Sequence, residues 1–244
     1  MRAFDRWFVW LGGAMFVVSL VVCGAWYELG PGEPLRLLLH GESGQTAATA
    51  VAVTAMYRLV ALVEDSVLVT IFALHHSVLA REGVKRRLPI PTHLARSVYV
   101  WTASVLLILV CLLWRPIGVE LYHAAGARAV AHAVLQLSGV ALIAAAVRRI
   151  DPLDLAGIRA SPPLEPLQIA GPYRLVRHPL YLGWMIAVFG AGHMTGDRLA
   201  FAALTSIYLV VAVPWEERSL RKSFSASYEA YARRVRWRII PFVY

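Results

Sequence analysis

The chain has 244 residues, 59% of them hydrophobic, with 24 Lys and Arg against 15 Asp and Glu for a formal net charge of +9. A mean hydropathy of +0.60 is too high for an ordinary soluble domain and places the chain among integral membrane proteins. No RNA- or DNA-binding motif accompanies the basic excess, which lies beside apolar runs, so the charge reads as membrane topology and no nucleic-acid partner is expected.

A membrane-spanning helix needs about 20 predominantly apolar residues. Residues 7–27 supply the first. No small-x-small cleavage site precedes Tyr27, so this run reads as a retained helix and not a signal peptide. Residues 28–46 are a Gly- and Pro-containing loop. Residues 47–79 are one long apolar stretch. A single helix of that length overshoots the ~30 Å hydrocarbon core, so the stretch is either a helix that continues onto the membrane surface or two segments. The span itself is residues 59–79, interrupted by Glu64 and Asp65, for which Arg58 or a group on another helix is the expected partner. Residues 98–114 and 129–147 are two further spans. Residues 180–195 and 199–215 form a short apolar hairpin around the turn His193-Met194-Thr195-Gly196-Asp197, giving about six spans in all.

The basic residues cluster at Arg81 to Arg96, Arg148 to Arg177 and Arg218 to Arg238, whereas 28–57 and 115–128 carry few. With the N-terminus inside, alternation through six spans puts all three clusters on one side. The positive-inside rule makes that side cytoplasmic, with both termini there. Two full spans within 47–79 would invert every later loop, so the charges favour one. Cys23 and Cys111 fall within predicted helices and read as packing residues. Neither a disulfide framework nor a zinc-ligand spacing is present, and no metal is expected.

The loop 148–177 holds Asp151-Pro152-Leu153-Asp154, Ser161-Pro162-Pro163 and Pro166, which hold extended geometry. It delivers the chain to Gly171-Pro172-Tyr173-Arg174-Leu175-Val176-Arg177-His178-Pro179-Leu180-Tyr181-Leu182-Gly183. Pro179 suits the first turn of a helix. That places Arg177 and His178 at the helix mouth, beside free backbone donors, where an anion is favoured. Tyr173 and Tyr181 offer aromatic faces, and Gly183 permits close approach of a helix or a ligand. Glu216 and Glu217 end the last apolar run. Adjacent carboxylates there need a cation, either Arg218 or Arg221 or an amino group in a site shared with Arg177 and His178. Beyond them Leu220, Phe224, Tyr228, Tyr231 and Val235 recur at helical spacing, with Arg221, Lys222, Arg233 and Arg234 on other faces, predicting an interfacial helix. His75, His76, Ser77 and Arg81 gather at the end of the second helix. Two adjacent His point about 100° apart and seldom share one metal, so a substrate-facing role is the stronger reading. Arg115-Pro116 reads as structural, and His123, His132 and His193 as non-catalytic.

The order Gly171-x-Tyr173-x-x-x-Arg177-His178-Pro179-x-Tyr181-x-Gly183, Glu216-Glu217-x-x-Leu220, Tyr228-x-x-Tyr231-x-x-x-Val235 and Ile240-Pro241 resembles the integral-membrane isoprenylcysteine carboxyl methyltransferases and their bacterial relatives. Phospholipid N-methyltransferases share a weaker form. Upstream, Phe72 to Arg81, Arg96-Ser97-x-Tyr99, Trp114-Arg115-Pro116 and Asp151-Pro152-x-Asp154-x-x-Gly157 are similar to the bacterial methanethiol S-methyltransferase and NnrU-like branch, where the place of His75 is usually Gln and that of Leu79 commonly Met.

The resemblance implies an all-α fold: a polytopic transmembrane helical bundle with a C-terminal cytoplasmic cofactor-binding helical region. The chain is then a single domain, with 1–147 as N-terminal spans and 148–244 as the cofactor-binding half. It implies S-adenosylmethionine as methyl donor, held by Tyr173, Arg177, His178, Pro179, Tyr181, Gly183, Glu216 and Glu217. His75 and Ser77 would touch the acceptor, and His76, Arg81 and Arg218 would serve catalysis by taking a thiol proton or stabilising the thiolate. The acceptor is a small thiol such as methanethiol or a lipid-like molecule, with the bilayer as the other partner. Prenylcysteine carboxyl O-methylation and lipid N-methylation are the alternatives of the same class. An NADPH-dependent membrane reductase with a similar Arg-His-Pro-x-Tyr pattern, and a transporter or assembly factor, are those of other classes.

Overall fold

In the computed structural model of the chain, the described residues are 3–30, 47–79, 84, 87, 89–150, 152–158 and 167–244. In chain order they form α1 (Ala3–Leu29), α2 (Ala47–Leu79), α3 (Thr92–Leu113), β1 (Glu120–His123), α4 (Ala127–Val147), the short α5 (Pro152–Leu155), a 3₁₀ turn (Gly171–Arg174), α6 (Pro179–Phe189), β2 (His193–Thr195) and α7 (Gly196–Arg234). Four described helices are long and apolar enough to cross a membrane: Ala3–Leu29, His93–Leu113, Ala127–Val147 and Gly196–Arg234. The structure is a membrane helical bundle. Leu11, Val18, Val21, Val134, Leu137 and Val140 are exposed along these helices, as lipid-facing side chains must be.

One open alternative closes and one expectation changes. The stretch 47–79 is one continuous helix of 33 residues, as the charge distribution favours. The first leg of the hairpin is shorter than 180–195. Helix α6 has 11 residues, about 16 Å at 1.5 Å per residue. The chain then leaves helical geometry, and β2 pairs with β1 in a two-stranded sheet. Strands of four and three residues are too short to show an alternating pattern.

The chain divides into two compact units. The first contains Met1–Val119, Ala156–Ile158 and Thr195–Ala200. Here α1 packs on α3 through a glycine notch. Trp101 donates from Nε1 to the Phe8 carbonyl at 3.0 Å, and a Cβ on Gly12 would lie 2.8 Å from that nitrogen. Ile158 fills the matching notch at Gly13, and Ser97 donates to the Gly157 carbonyl at 2.7 Å. Buried Asp197 accepts from Trp114 Nε1 at 3.0 Å and from the Ile117 amide at 2.8 Å. Arg198 donates to the Tyr27 and Glu28 carbonyls, closing the end of α1 where carbonyls lack helical partners. The partner of Glu64 is Arg115, at 2.5 Å, while the buried Asp65 carboxylate accepts from the Arg115 amide at 2.9 Å.

The second unit contains Glu120–Leu155, Arg159–Met194 and Phe201–Tyr244. Helices α4 and α6 meet at glycines: a Cβ on Gly139 would lie 2.6 Å from the Gly183 carbonyl, and one on Gly183 would lie 2.9 Å from that of Gly139. Trp184 Nε1 donates to Thr205 at 3.0 Å, tying α6 to α7. Helix α7 breaks at Ser225, whose φ of 43° is left-handed. The segment after the break bends back, so that Tyr228, Tyr231 and Val235 bury against Leu167, Tyr173, Leu220 and Phe224. The tail then pairs with the start of α6: the amides of Arg177 and His178 donate to the carbonyls of Trp237 and Arg238 at 2.9 and 2.8 Å.

Candidate functional site

His178 is the N-cap of α6 and Pro179 its first residue. Proline there gives up no helical hydrogen bond, and it fixes the angle at which Arg177 and His178 leave the helix. Both side chains turn toward the end of the apolar run 199–215 in α7, where Glu216 and Glu217 follow it. Arg177 Nε donates to Glu217 Oε1 at 2.7 Å, and its Nη1 reaches the Val235 carbonyl at 3.3 Å. His178 stands 3.5 Å from each glutamate, through Nδ1 to Glu216 and Nε2 to Glu217. Arg221 and Arg238 each approach Glu217 Oε2 at 3.5 Å.

The two glutamates are therefore unlike. Glu217 is fully buried. Burial alone pushes its carboxyl up; the close approach of His178 and the charges of Arg177 and Arg238 overcome this and hold it at about 2. It is a fixed anion at the centre of a cationic cage. Glu216 keeps a side-chain exposure of 43% and accepts from the Tyr181 hydroxyl at 2.7 Å. Adjacent positions point about 100° apart on a helix, so one faces the cage and the other the space beside Tyr181. Tyr181 stacks on the His178 ring at 5.3 Å.

Three buried polar atoms around Glu217 have no hydrogen-bond partner among the described residues: Glu217 Oε2, His178 Nε2 and the Tyr228 hydroxyl. Buried polar groups in that state cost free energy, which for Glu217 and His178 the charged neighbours at 3.5 Å offset. Burial, with the Glu217 charge adding to it, pushes the Tyr228 phenol up. Burial and the Glu216 charge push Tyr173 up to about 12. Tyr173 is held from behind, its carbonyl accepting from Tyr231 at 2.8 Å. A recess of about 300 Å³ lined by Leu167, Ile169, Ser227, Ala230, Tyr231 and Arg234 opens nearby. It contains no carboxylate, which a cationic ligand needs.

The structure thus brings Arg177, His178, Tyr181, Glu216 and Glu217 together. Gly183 faces elsewhere. It is taken up by α4, where a side chain would meet the Gly139 carbonyl and Ile143, so of its two expected uses the helix contact is the one realised. Pro179 shapes the helix start. Arg218 is exposed on α7. Arg221 is the one of the two neighbouring cations offered for the glutamates that reaches Glu217, whereas Tyr228 and Arg238 join the cage although the sequence reading did not place them in it. The Tyr228 spacing and the basic run after Glu217 were visible signals; Arg238 carried none, because it arrives through backbone pairing of the tail.

In the first unit, His75, His76 and Ser77 lie near the end of α2. The His76 Nδ1 and the Tyr99 hydroxyl are 2.7 Å apart, and His75 stacks on the Tyr99 ring at 5.5 Å. Neither buried nitrogen of His75 has a hydrogen-bond partner among the described residues. Tyr99 is therefore a further member of this group. Arg81, Asp151 and Ser161 to Pro166 lie outside the described residues, as does most of the loop 28–46.

A family model described as phospholipid methyltransferase matches residues 157–227. Methanethiol S-methyltransferase 2 of Bradyrhizobium diazoefficiens is 35% identical over 72% of this chain and 71% of its own length. Methanethiol S-methyltransferase of Crocosphaera subtropica is 36% identical over 75% of this chain and 76% of its own. A probable protein-S-isoprenylcysteine O-methyltransferase of Oryza sativa is 38% identical over 27% of the chain and 36% of its own length. No solved structure matches.

Proposed function

The chain belongs to the family of the bacterial methanethiol S-methyltransferases, and on that premise we propose that it uses S-adenosylmethionine to methylate a small thiol, with methanethiol giving dimethyl sulfide. The observation that carries the donor assignment is the cage around Glu217 with Glu216 exposed beside it. The amino-acid end of the donor carries an ammonium and a carboxylate. Glu216 supplies an anion for the first, and the cationic rim of Arg177, His178, Arg221 and Arg238 supplies partners for the second. Glu217 acts indirectly by holding Arg177 and His178 in place. Tyr173 and Tyr181 present ring faces to the sulfonium or the adenine.

The donor supplies an electrophilic methyl group. The thiolate sulfur forms a bond to that carbon while the carbon–sulfonium bond breaks, its electron pair staying on the departing sulfur. Two opposite charges vanish, so a water-poor pocket favours the step and alignment supplies much of the rate. A thiol is mostly protonated at neutral pH, so its proton must be taken first. His76, held through Nδ1 by Tyr99, is the assigned base, with Arg81 or Arg218 favouring the thiolate. His75 and Ser77 are assigned to the acceptor. The termini are assigned to the cytoplasmic side of an inner membrane, from the Arg-rich loops.

Calorimetry of S-adenosylmethionine on detergent-purified protein tests the donor assignment. Binding in the wild type and at least tenfold weaker binding in Glu216→Gln is expected, about 1.4 kcal/mol. Equal binding in the two proteins refutes the role of Glu216. NADPH binding with no S-adenosylmethionine binding refutes the methyltransferase reading. His76→Asn with an unchanged rate and pH profile refutes the base.

A further inference from the structure

We infer that Glu120, His123 and His193 form a binding site for a divalent transition metal, zinc(II) being the ion that fits best. The three lie in the second unit on the β1–β2 ribbon. That ribbon joins the start of α4 and the end of α6, the opposite end of the pair from Arg177 and His178. It takes no part in the proposed methyl transfer.

One ligand atom from each side chain lies within 4.8 Å of the other two. Glu120 Oε2 and His193 Nε2 are 3.0 Å apart. The His123 and His193 rings are parallel within 14°, with centroids 4.6 Å apart. A donor set of two nitrogens and one carboxylate oxygen suits zinc, and three protein ligands leave a fourth, open position.

The frame that carries the ligands is built independently of them. Ala124 N donates to the Gly192 carbonyl at 2.7 Å, and the Tyr122 hydroxyl donates to the Ala191 carbonyl at 3.0 Å. His132 Nδ1 lies 3.1 Å from the Gly190 carbonyl. These bonds fix the segment before His193 against β1. The Glu120–His193 pair alone does not account for the arrangement: with side-chain exposures of 62% and 35% it is too exposed to hold the segment. Sequence spacing conceals the site, because Glu120 and His193 are 73 residues apart.

The test uses the full-length, tag-free protein in detergent, stripped with chelator and titrated with zinc chloride by calorimetry. The same protein loaded with cobalt(II) gives a visible spectrum that reports the ligands. About one equivalent is expected to bind with micromolar affinity, at least tenfold more tightly than to His193→Ala or to Glu120→Gln. Zinc should raise the melting temperature of the wild type and not of His193→Ala. Methyl transfer should be unchanged in both variants, so a failure here stays distinct from a failure of the methyltransferase reading. No zinc binding in the wild type, or equal binding in wild type and both variants, overturns the inference. Glu120→Gln leaves both stacked rings in place, so it remains informative if His193→Ala does not fold.

Discussion

Replacing Glu217 by Gln removes one charge from the most buried ionic cluster described. The size of the effect follows from two routes. The carboxyl is held at about 2 against an ordinary 4.5, which corresponds to about 3 kcal/mol of stabilisation of the charged form. Removing one partner of a buried ion pair costs about 3–5 kcal/mol, because the others stay buried and uncompensated. Here Arg177 keeps a side-chain exposure of only 8% and would face Arg221 and Arg238 with no anion between them. A loss of about 3 kcal/mol corresponds to a drop of roughly 6–12 °C in a protein of this size. Thermal unfolding in detergent, followed by circular dichroism at neutral pH, measures it. The sign with pH follows from the depressed value: this stability is fully present above about 4.5 and is lost as pH falls toward about 2. Wild type and Glu217→Gln should therefore converge across that interval. A variant that melts with the wild type at neutral pH would refute the buried-anion reasoning.

Glu216→Gln should leave the melting temperature within about 1 kcal/mol of the wild type, since the group is half exposed, while weakening donor binding; the pair of adjacent variants separates structure from ligand. Gly183→Val should destabilise the protein by about 1–3 kcal/mol through overpacking against α4, measured by the same melts, and full stability would contradict the Gly139–Gly183 contact. Tyr99→Phe removes the hydroxyl 2.7 Å from His76 Nδ1; turnover should fall about tenfold with donor affinity unchanged in calorimetry. Ser225→Gly should stabilise by about 1 kcal/mol, since a side chain at that positive φ is strained, and a lower melting temperature would contradict it.

The helical bundle was readable in the sequence because lipid demands long apolar runs, and the family resemblance rested on the fixed order from Gly171 to Pro241. That order placed Arg177, His178, Tyr181 and the two glutamates in one neighbourhood. It left open which glutamate is caged, because a one-residue step in helical phase decides it and only the packed structure shows the phase. Gly183 announced a close approach without saying to what. Arg238 and Tyr99 came from long-range contacts: one through tail pairing with residues 177–178, the other through α2 meeting α3. The β1–β2 ribbon escaped because its strands are too short for periodicity and its pairing spans α4 and α6.

The most direct measurement is headspace gas chromatography over membranes carrying the protein, supplied with S-adenosylmethionine and methanethiol. The expected result is dimethyl sulfide produced by the wild type and lost in Glu216→Gln membranes holding equal amounts of folded protein. Dimethyl sulfide absent from the wild type while a prenylcysteine or lipid acceptor is methylated would contradict the thiol as substrate. Methylation of none of these would contradict the account at its centre.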